Sequence, residues 1–357
     1  MTIDAPGRVI VPIADYQDAS VLPANAPEAT SLELRLKGLR PILDNAEVTE
    51  ICINKPGEAF VLTNSGWDRL ALQFADYDWC RDLAKLVAAA NKQRIDETQP
   101  LLSTSLPTGQ RIQIVLPPAT VARHVSITIR RPGDDVRSLD DLEKTGSFRQ
   151  CVSASEEFDA GELELLELKK HGRFKDFLRL AVQLKKNILV SGSTGTGKTT
   201  MTNGLLLEIP ETERLITIED APELVLKKQP NHVRLFYSKG DQGLAKVTPK
   251  LLLESCLRMR PDRVFLSELR SDEAYDYLKV IVAHPGSITS IHASTARLAL
   301  KQLMMYVKQS GAGLTTDDVR ELTYMLVDVV MQFGHDGGHR IVKELWYEPD
   351  KKRQTAR

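Results

Sequence analysis

The chain has 357 residues, of which 42% are hydrophobic and 27% charged, which is the make-up of an ordinary globular protein of about two domains and excludes a disordered or fibrous one. A net charge of −1 leaves no overall basic field, so no direct sequence-specific nucleic-acid binding is expected, although basic side chains can still line an inner channel. The four cysteines (Cys52, Cys80, Cys151, Cys256) form no C-x-x-C pair and read as thiols of a reducing compartment, and no apolar stretch approaches the roughly 18 residues of a membrane span.

Residues 1–30 are rich in Pro, Ala and Asp, show no secretory signal, and read as a poorly ordered lead-in. Leu32, Leu36, Leu39 and Leu43 mark one face of an amphipathic helix, which either packs into a core or, through Arg35, Lys37 and Arg40, touches anionic lipid. Strands follow at Glu50–Asn54 and Ala59–Leu62, with turns at Lys55-Pro56-Gly57 and Asn64-Ser65-Gly66. The spacing predicts a helix over Tyr77–Asn91, then strands at Leu101–Ser105, Arg111–Leu116 and Val125–Ile129. Strands cluster here without a β-helix-β rhythm, which points to a smaller α+β N-terminal domain over residues 31–132. Residues 133–158 are polar, charged and weakly periodic and read as a linker.

Over residues 159–357 helices alternate with apolar strands, at Ile188–Ser191, Leu215–Glu219, His232–Tyr237, Val264–Ser267 and Ser287–Ile291. Val329–Phe333 and Arg340–Trp346 suit an antiparallel pair across Gly337-Gly338. This rhythm predicts an α/β domain with a mainly parallel sheet.

Within that domain Gly192-Ser193-Thr194-Gly195-Thr196-Gly197-Lys198-Thr199 is a complete phosphate-binding loop, preceded by a strand and followed by a helix. Its glycines let consecutive N–H groups face phosphates at a helix N-terminus. Lys198 is placed for the β/γ-phosphates and Thr199 for Mg²⁺. The adjoining Thr200 completes the loop's candidate nucleotide-binding set.

Other strand ends carry further chemistry, because strand ends of such sheets face the ligand crevice. Glu268, after Arg263-Val264-Phe265-Leu266-Ser267, is a candidate to hold Mg²⁺ or polarise the attacking water. Glu219 is a second candidate base and metal ligand, with Asp220 as a cap or metal-shell group and Glu223 read as a surface acid. His292 ends a third strand and can hydrogen-bond a γ-phosphate or the acid beside it. Arg258 and Arg260, in Leu257-Arg258-Met259-Arg260-Pro261-Asp262-Arg263, read either as phosphate-sensing arginines offered to a neighbouring subunit or as a basic turn.

In this order the phosphate loop, Ile218-Glu219-Asp220-Ala221-Pro222-Glu223, the arginine segment, Ser267-Glu268-Leu269-Arg270 and His284-Pro285-Gly286-Ser287 through His292-Ala293 resemble the secretion (traffic) ATPases. Those proteins carry a Walker A loop, an acidic "Asp box", a Walker B with Glu and a "His box". The run Leu106–Pro118 and the segment Val125–Pro132 make the resemblance strongest to the hexameric ATPases of type IV secretion and conjugation. Ser267 and Ala283 stand where many members of that family have Gly. The resemblance implies a RecA-like phosphate-loop domain, ATP with Mg²⁺, a homo-hexameric ring, and nucleotide held between the two domains. Arg111 and Arg130 of the N-terminal domain would then reach over the phosphates. It also implies a cytoplasmic motor, peripheral at the cytoplasmic face of the inner membrane, that works with other secretion-system ATPases and inner-membrane core components. The implied task is type IV secretion, conjugative transfer and pilus assembly. A type II secretion or type IV pilus ATPase and a hexameric nucleic-acid motor are the rival readings, together with a nucleotide-gated scaffold.

Overall fold

The computed structural model describes residues 30–133, 136–153, 157–238 and 243–350. The expected lead-in, apart from Thr30, lies outside the described residues.

The N-terminal helix is broken in its middle. Helix α1 (Ser31–Leu36) starts at a Thr30–Glu33 capping box, a 3-10 turn covers Lys37–Leu39, and α2 is Arg40–Leu43. Leu32, Leu36, Leu39 and Leu43 are all buried, so this face packs into a core and is not offered to lipid. The sheet beside it is wholly antiparallel, in the order β3-β2-β1-β6-β5-β4. Its strands are β1 (Glu50–Ile53), β2 (Glu58–Thr63), β3 (Gly66–Ala71), β4 (Leu101–Ser105), β5 (Arg111–Val115) and β6 (Ser126–Arg130). Helix α3 (Tyr77–Ala90), capped by Asp76, buries Trp79, Leu83 and Val87 against it. Strand β3 has no counterpart among the predicted strands. Its side chains are half-exposed on both faces, so no apolar alternation announces it.

Residues 133–158, expected as a linker, contain a short helix α4 (Leu139–Lys144) capped by Ser138, with no buried side chain. The next helices are α5 (Ala160–Lys170) and α6 (Phe174–Gln183).

The C-terminal strands are β7 (Ile188–Ser191), β8 (Leu215–Glu219), β9 (His232–Phe236), β10 (Arg263–Leu266), β11 (Ile288–Ile291), β12 (Val329–Asp336) and β13 (His339–Trp346). They form one group in the order β10-β8-β9 and another in the order β11-β7-β12-β13, parallel except for the final hairpin. The groups meet at a seam of side-chain hydroxyls. Ser287, Thr289 and Ser290 donate to the carbonyls of Val264, Leu266 and Ser267 at 2.6, 2.6 and 2.8 Å. Strands β7, β8, β10 and β11 therefore end at a common edge. Helices α7 (Lys198–Leu206), α8 (Pro249–Cys256), α9 (Glu273–Ala283), α10 (Ala296–Gln309) and α11 (Thr316–Leu326) complete the layers.

The two sheets touch away from that edge. Arg214, fully buried before β8, donates to the Met259 carbonyl at 2.9 Å and to Asn54 Oδ1 at 2.7 Å. Thr120 Oγ1 donates to the Arg234 carbonyl at 2.9 Å.

Candidate active site

A buried strand, β7, delivers the chain into the phosphate loop, and α7 leaves it. Gly197 caps α7 at φ 97°, a conformation that disfavours a side chain, and Gly192 is packed so closely that a Cβ there would lie 2.7 Å from Thr196 Oγ1 and 2.9 Å from Phe333 Cβ. Thr196 Oγ1 in turn donates to the Ser193 carbonyl at 2.8 Å, which fixes the turn. The loop borders a cavity of about 440 Å³. Thr194, Gly195, Gly197, Lys198, Thr199 and Thr200 form one wall. Asp220, Glu223, Ser267, Glu268, Arg270, Ser290 and His292 come from the strand ends opposite, and Arg340 from the β12–β13 hairpin.

Lys198 is folded back onto the loop. Its Nζ donates to the carbonyls of Gly192 at 2.8 Å and Ser193 at 3.1 Å, and burial holds its pKa below the ordinary lysine value, with the Glu268 and Glu223 carboxylates opposing that shift. His292 bridges the loop and the acid. Its Nδ1 stands 3.1 Å from the Gly192 carbonyl and its Nε2 2.7 Å from Glu268 Oε1. Arg270 binds the other oxygen of Glu268 and lies 3.4 Å from Asp220. A loop lysine, a histidine, a carboxylate and an arginine thus share one water-accessible recess, an arrangement suited to binding phosphate and moving a proton beside it.

Glu219 does not join them. Its carboxylate is sealed below the cavity, where Arg234 donates to both oxygens at 3.0 and 2.9 Å, Thr217 Oγ1 donates at 2.7 Å, and the N–H groups of Glu223 and Leu224 donate at 2.9 Å. Glu219, expected as a metal ligand or base, thus does not line the cavity, and both of its oxygens are engaged by protein donors. Of the acids that follow β8, Asp220 and Glu223 do line it; Glu223, expected at the surface, is exposed, and its Oε2 accepts from Thr199 Oγ1 at 3.1 Å. A buried strand ending in Glu beside a neighbouring strand carrying Arg234 was the signal available for this pairing.

The four other arginines are placed elsewhere in this chain. Arg111 and Arg130 are direct partners across β5 and β6, and Arg130 Nε lies 3.5 Å from Glu50. Arg258 and Arg260 precede β10, at the end of that strand opposite Glu268, and Arg260 pairs with Asp262 at 3.2 Å. None of the four lines the cavity, so the expected grip of N-terminal arginines on phosphate is not formed within one chain.

A parallel sheet in which β11 separates the phosphate-loop strand from the β10 acid strand, with a lysine loop facing that acid, defines a phosphate-loop NTPase domain of RecA-like build. The chain belongs to the Type II/IV secretion system protein family, which it matches over residues 35–332. It is 44% identical to the type IV secretion system protein VirB11 of Brucella suis over 341 residues, covering 93% of this chain and 94% of that protein. It is 40% identical to the protein VirB11 of Agrobacterium fabrum, over 90% of this chain and 95% of that one. The crystal structure of the VirB11 ATPase from the Brucella suis type IV secretion system in complex with sulphate matches at TM-score 0.87 and 44% identity, over 91% of this chain and 97% of that one.

Proposed function

We propose that the chain is a motor ATPase that hydrolyses ATP at the Gly192–Thr199 loop to drive type IV secretion. One observation carries this reading: the loop, Glu268 and His292 converge on a single cavity in a chain that matches VirB11 over nearly its whole length. The sulphate held by the Brucella suis protein is an anion of phosphate-like size and shape, in keeping with an anion-binding loop.

On this reading Lys198 leaves the Gly192 and Ser193 carbonyls for the β/γ-phosphates, and the backbone N–H groups of the loop cradle the phosphates. Glu268 orients and polarises the attacking water, and His292 holds Glu268 while reaching the γ-phosphate. The oxygens of Thr199, Glu223, Asp220 and Glu268 suit Mg²⁺. One or two of these would be direct ligands, since nucleotide-bound Mg²⁺ takes the rest of its shell from phosphate and water; among the described residues no group of three or more His, Cys, Asp or Glu could hold a metal by itself. Bound there, Mg²⁺ would neutralise charge on the β- and γ-oxygens.

The same reading makes residues 31–132 and 159–357 two units joined by 133–158, assembled as a homo-hexamer. Arg111, Arg130, Arg258 and Arg260, standing outside their own cavity, then serve a neighbouring subunit's site. The ring sits at the cytoplasmic face of the inner membrane against other secretion-system ATPases and core components. Among the described residues no helix is long and apolar enough to cross a membrane, in keeping with a peripheral contact. Phosphate release from ATP by the purified chain and by Lys198→Ala tests the reading. Turnover lost in the variant supports it, and equal turnover in both, or DNA-dependent duplex unwinding, overturns it.

A further inference from the structure

Arg340 reaches the cavity from an element that none of the strand-end motifs includes. Strand β12 runs beside β7 only from Val329 to Gln332, opposite Ile188 to Ser191. Beyond that point β7 has become the phosphate loop, while β12 continues, its register with β13 shifting between Gln332 and Phe333. Phe333 packs on Gly192, and the hairpin projects past the loop with Arg340 opposite His335. The stem of Arg340 lies across Gly197, its Cδ 3.1 Å and its Cβ and Cγ 3.8 and 3.9 Å from where a Cβ of that glycine would stand.

Among the described residues the charge of Arg340 is uncommitted. Arg270 is held by Glu268 and Asp220, Arg234 by Glu219 and Arg263 by Glu213, whereas Arg340 has no carboxylate partner among the described residues. Glu344, the nearest acid along β13, accepts instead from the Ala296 N–H at 2.8 Å. A guanidinium with its stem held and its head unpaired over a phosphate loop is prepared to bind a phosphate with two N–H groups.

We propose that Arg340 is a phosphate ligand supplied by the chain to its own cavity, gripping the α- and β-phosphates of the bound nucleotide. This rests on the nucleotide reading above and adds a binding residue to it. The position follows from Gly197, since the backbone of this part of the loop cradles the α/β-phosphates, while Lys198, His292 and Glu268 mark the γ side. An interaction with groups present in both substrate and product strengthens ground state and transition state alike. Arg340 therefore sets affinity for nucleoside di- and triphosphates together and leaves the cleavage step nearly untouched.

The test is equilibrium binding of fluorescent ADP and of a non-hydrolysable fluorescent ATP analogue, both with Mg²⁺, to wild type, Arg340→Ala, Arg340→Lys and Lys198→Ala, alongside steady-state hydrolysis. Arg340→Ala is expected to weaken both nucleotides by a similar factor, about tenfold, as for loss of a charge-assisted contact. KM rises with Kd, kcat stays within about twofold, and Arg340→Lys recovers part of the loss. The thermal midpoint stays at the wild-type value because the side chain is exposed. Unchanged affinity for both nucleotides in Arg340→Ala overturns the proposal, as does a loss confined to the triphosphate analogue or to kcat. If Arg340→Ala fails while Lys198→Ala loses binding, only the Arg340 assignment is lost. If wild type binds neither nucleotide, the nucleotide reading falls and this proposal with it.

Discussion

Glu219→Ala separates a structural carboxylate from a catalytic one. The substitution removes five hydrogen bonds received by one fully buried side chain. Breaking a buried ion pair from one side costs about 3–5 kcal/mol. Two main-chain N–H groups and the Thr217 hydroxyl also lose their acceptor, at about 1–3 kcal/mol each if water does not replace it. These terms do not add fully, because the Arg234 side chain is 23% exposed and can turn towards solvent. A net loss of about 4–6 kcal/mol is expected, a large part of the 5–15 kcal/mol that holds a typical domain together. With a urea slope of about 2–3 kcal/mol/M for a chain of this size, the unfolding midpoint falls by about 2 M. The assay is urea unfolding followed by far-UV circular dichroism at fixed protomer concentration, since assembly shifts apparent stability. Glu219→Gln keeps the shape, loses the charge and should fall between the two. Turnover drops as well, because Glu219 holds the N–H of Glu223, so stability is the deciding readout. An unfolding midpoint equal to wild type in Glu219→Ala, with turnover abolished, would refute the structural assignment.

Two further outcomes follow from the geometry. Gly192→Ala forces a Cβ against Thr196 Oγ1 and Phe333, an overpacking that costs about 1–3 kcal/mol of stability and, as the loop shifts to relieve it, weakens nucleotide binding. Titration with fluorescent ADP checks this, and wild-type affinity would contradict the packing argument. Glu50 is pushed up to about 7 by burial, with Arg130, Arg260 and Arg214 opposing the shift. The folded chain thus holds this proton more tightly than the unfolded chain, whose Glu value is 4.5. The stability it contributes is complete below that value and is lost as pH rises through about 7. Glu50→Gln should match wild type in thermal midpoint at about pH 5 and be the more stable by up to about 3 kcal/mol at about pH 9. A constant difference across that range would rule the linkage out.

Much of this molecule is legible in its sequence because strands buried on both faces, such as Ile188–Ser191 and Arg263–Leu266, stand out as apolar runs between turn residues. The phosphate loop is legible because its residues are local and its spacing is demanded by one ligand geometry. Strand β3 escaped notice because neither of its faces is fully buried, and α4 because a short polar helix has no apolar stripe. The acids after β8 posed a different difficulty. Glu219, Asp220 and Glu223 are equivalent in a one-dimensional pattern, and what separates them is Arg234, paired through the sheet and 15 residues away. Arg340 is still further from the loop in sequence. Its place over Gly197 depends on β12 pairing with β7, a long-range choice that periodicity does not reveal.

The most direct test of the account is single-turnover hydrolysis of Mg-ATP by Glu268→Gln, with binding confirmed in the same sample. ATP is expected to bind with an affinity within about twofold of wild type and to be cleaved about 10²–10⁴ times more slowly, because the group that polarises water is gone while the phosphate loop is intact. Phosphate release at the wild-type rate from that variant would contradict it.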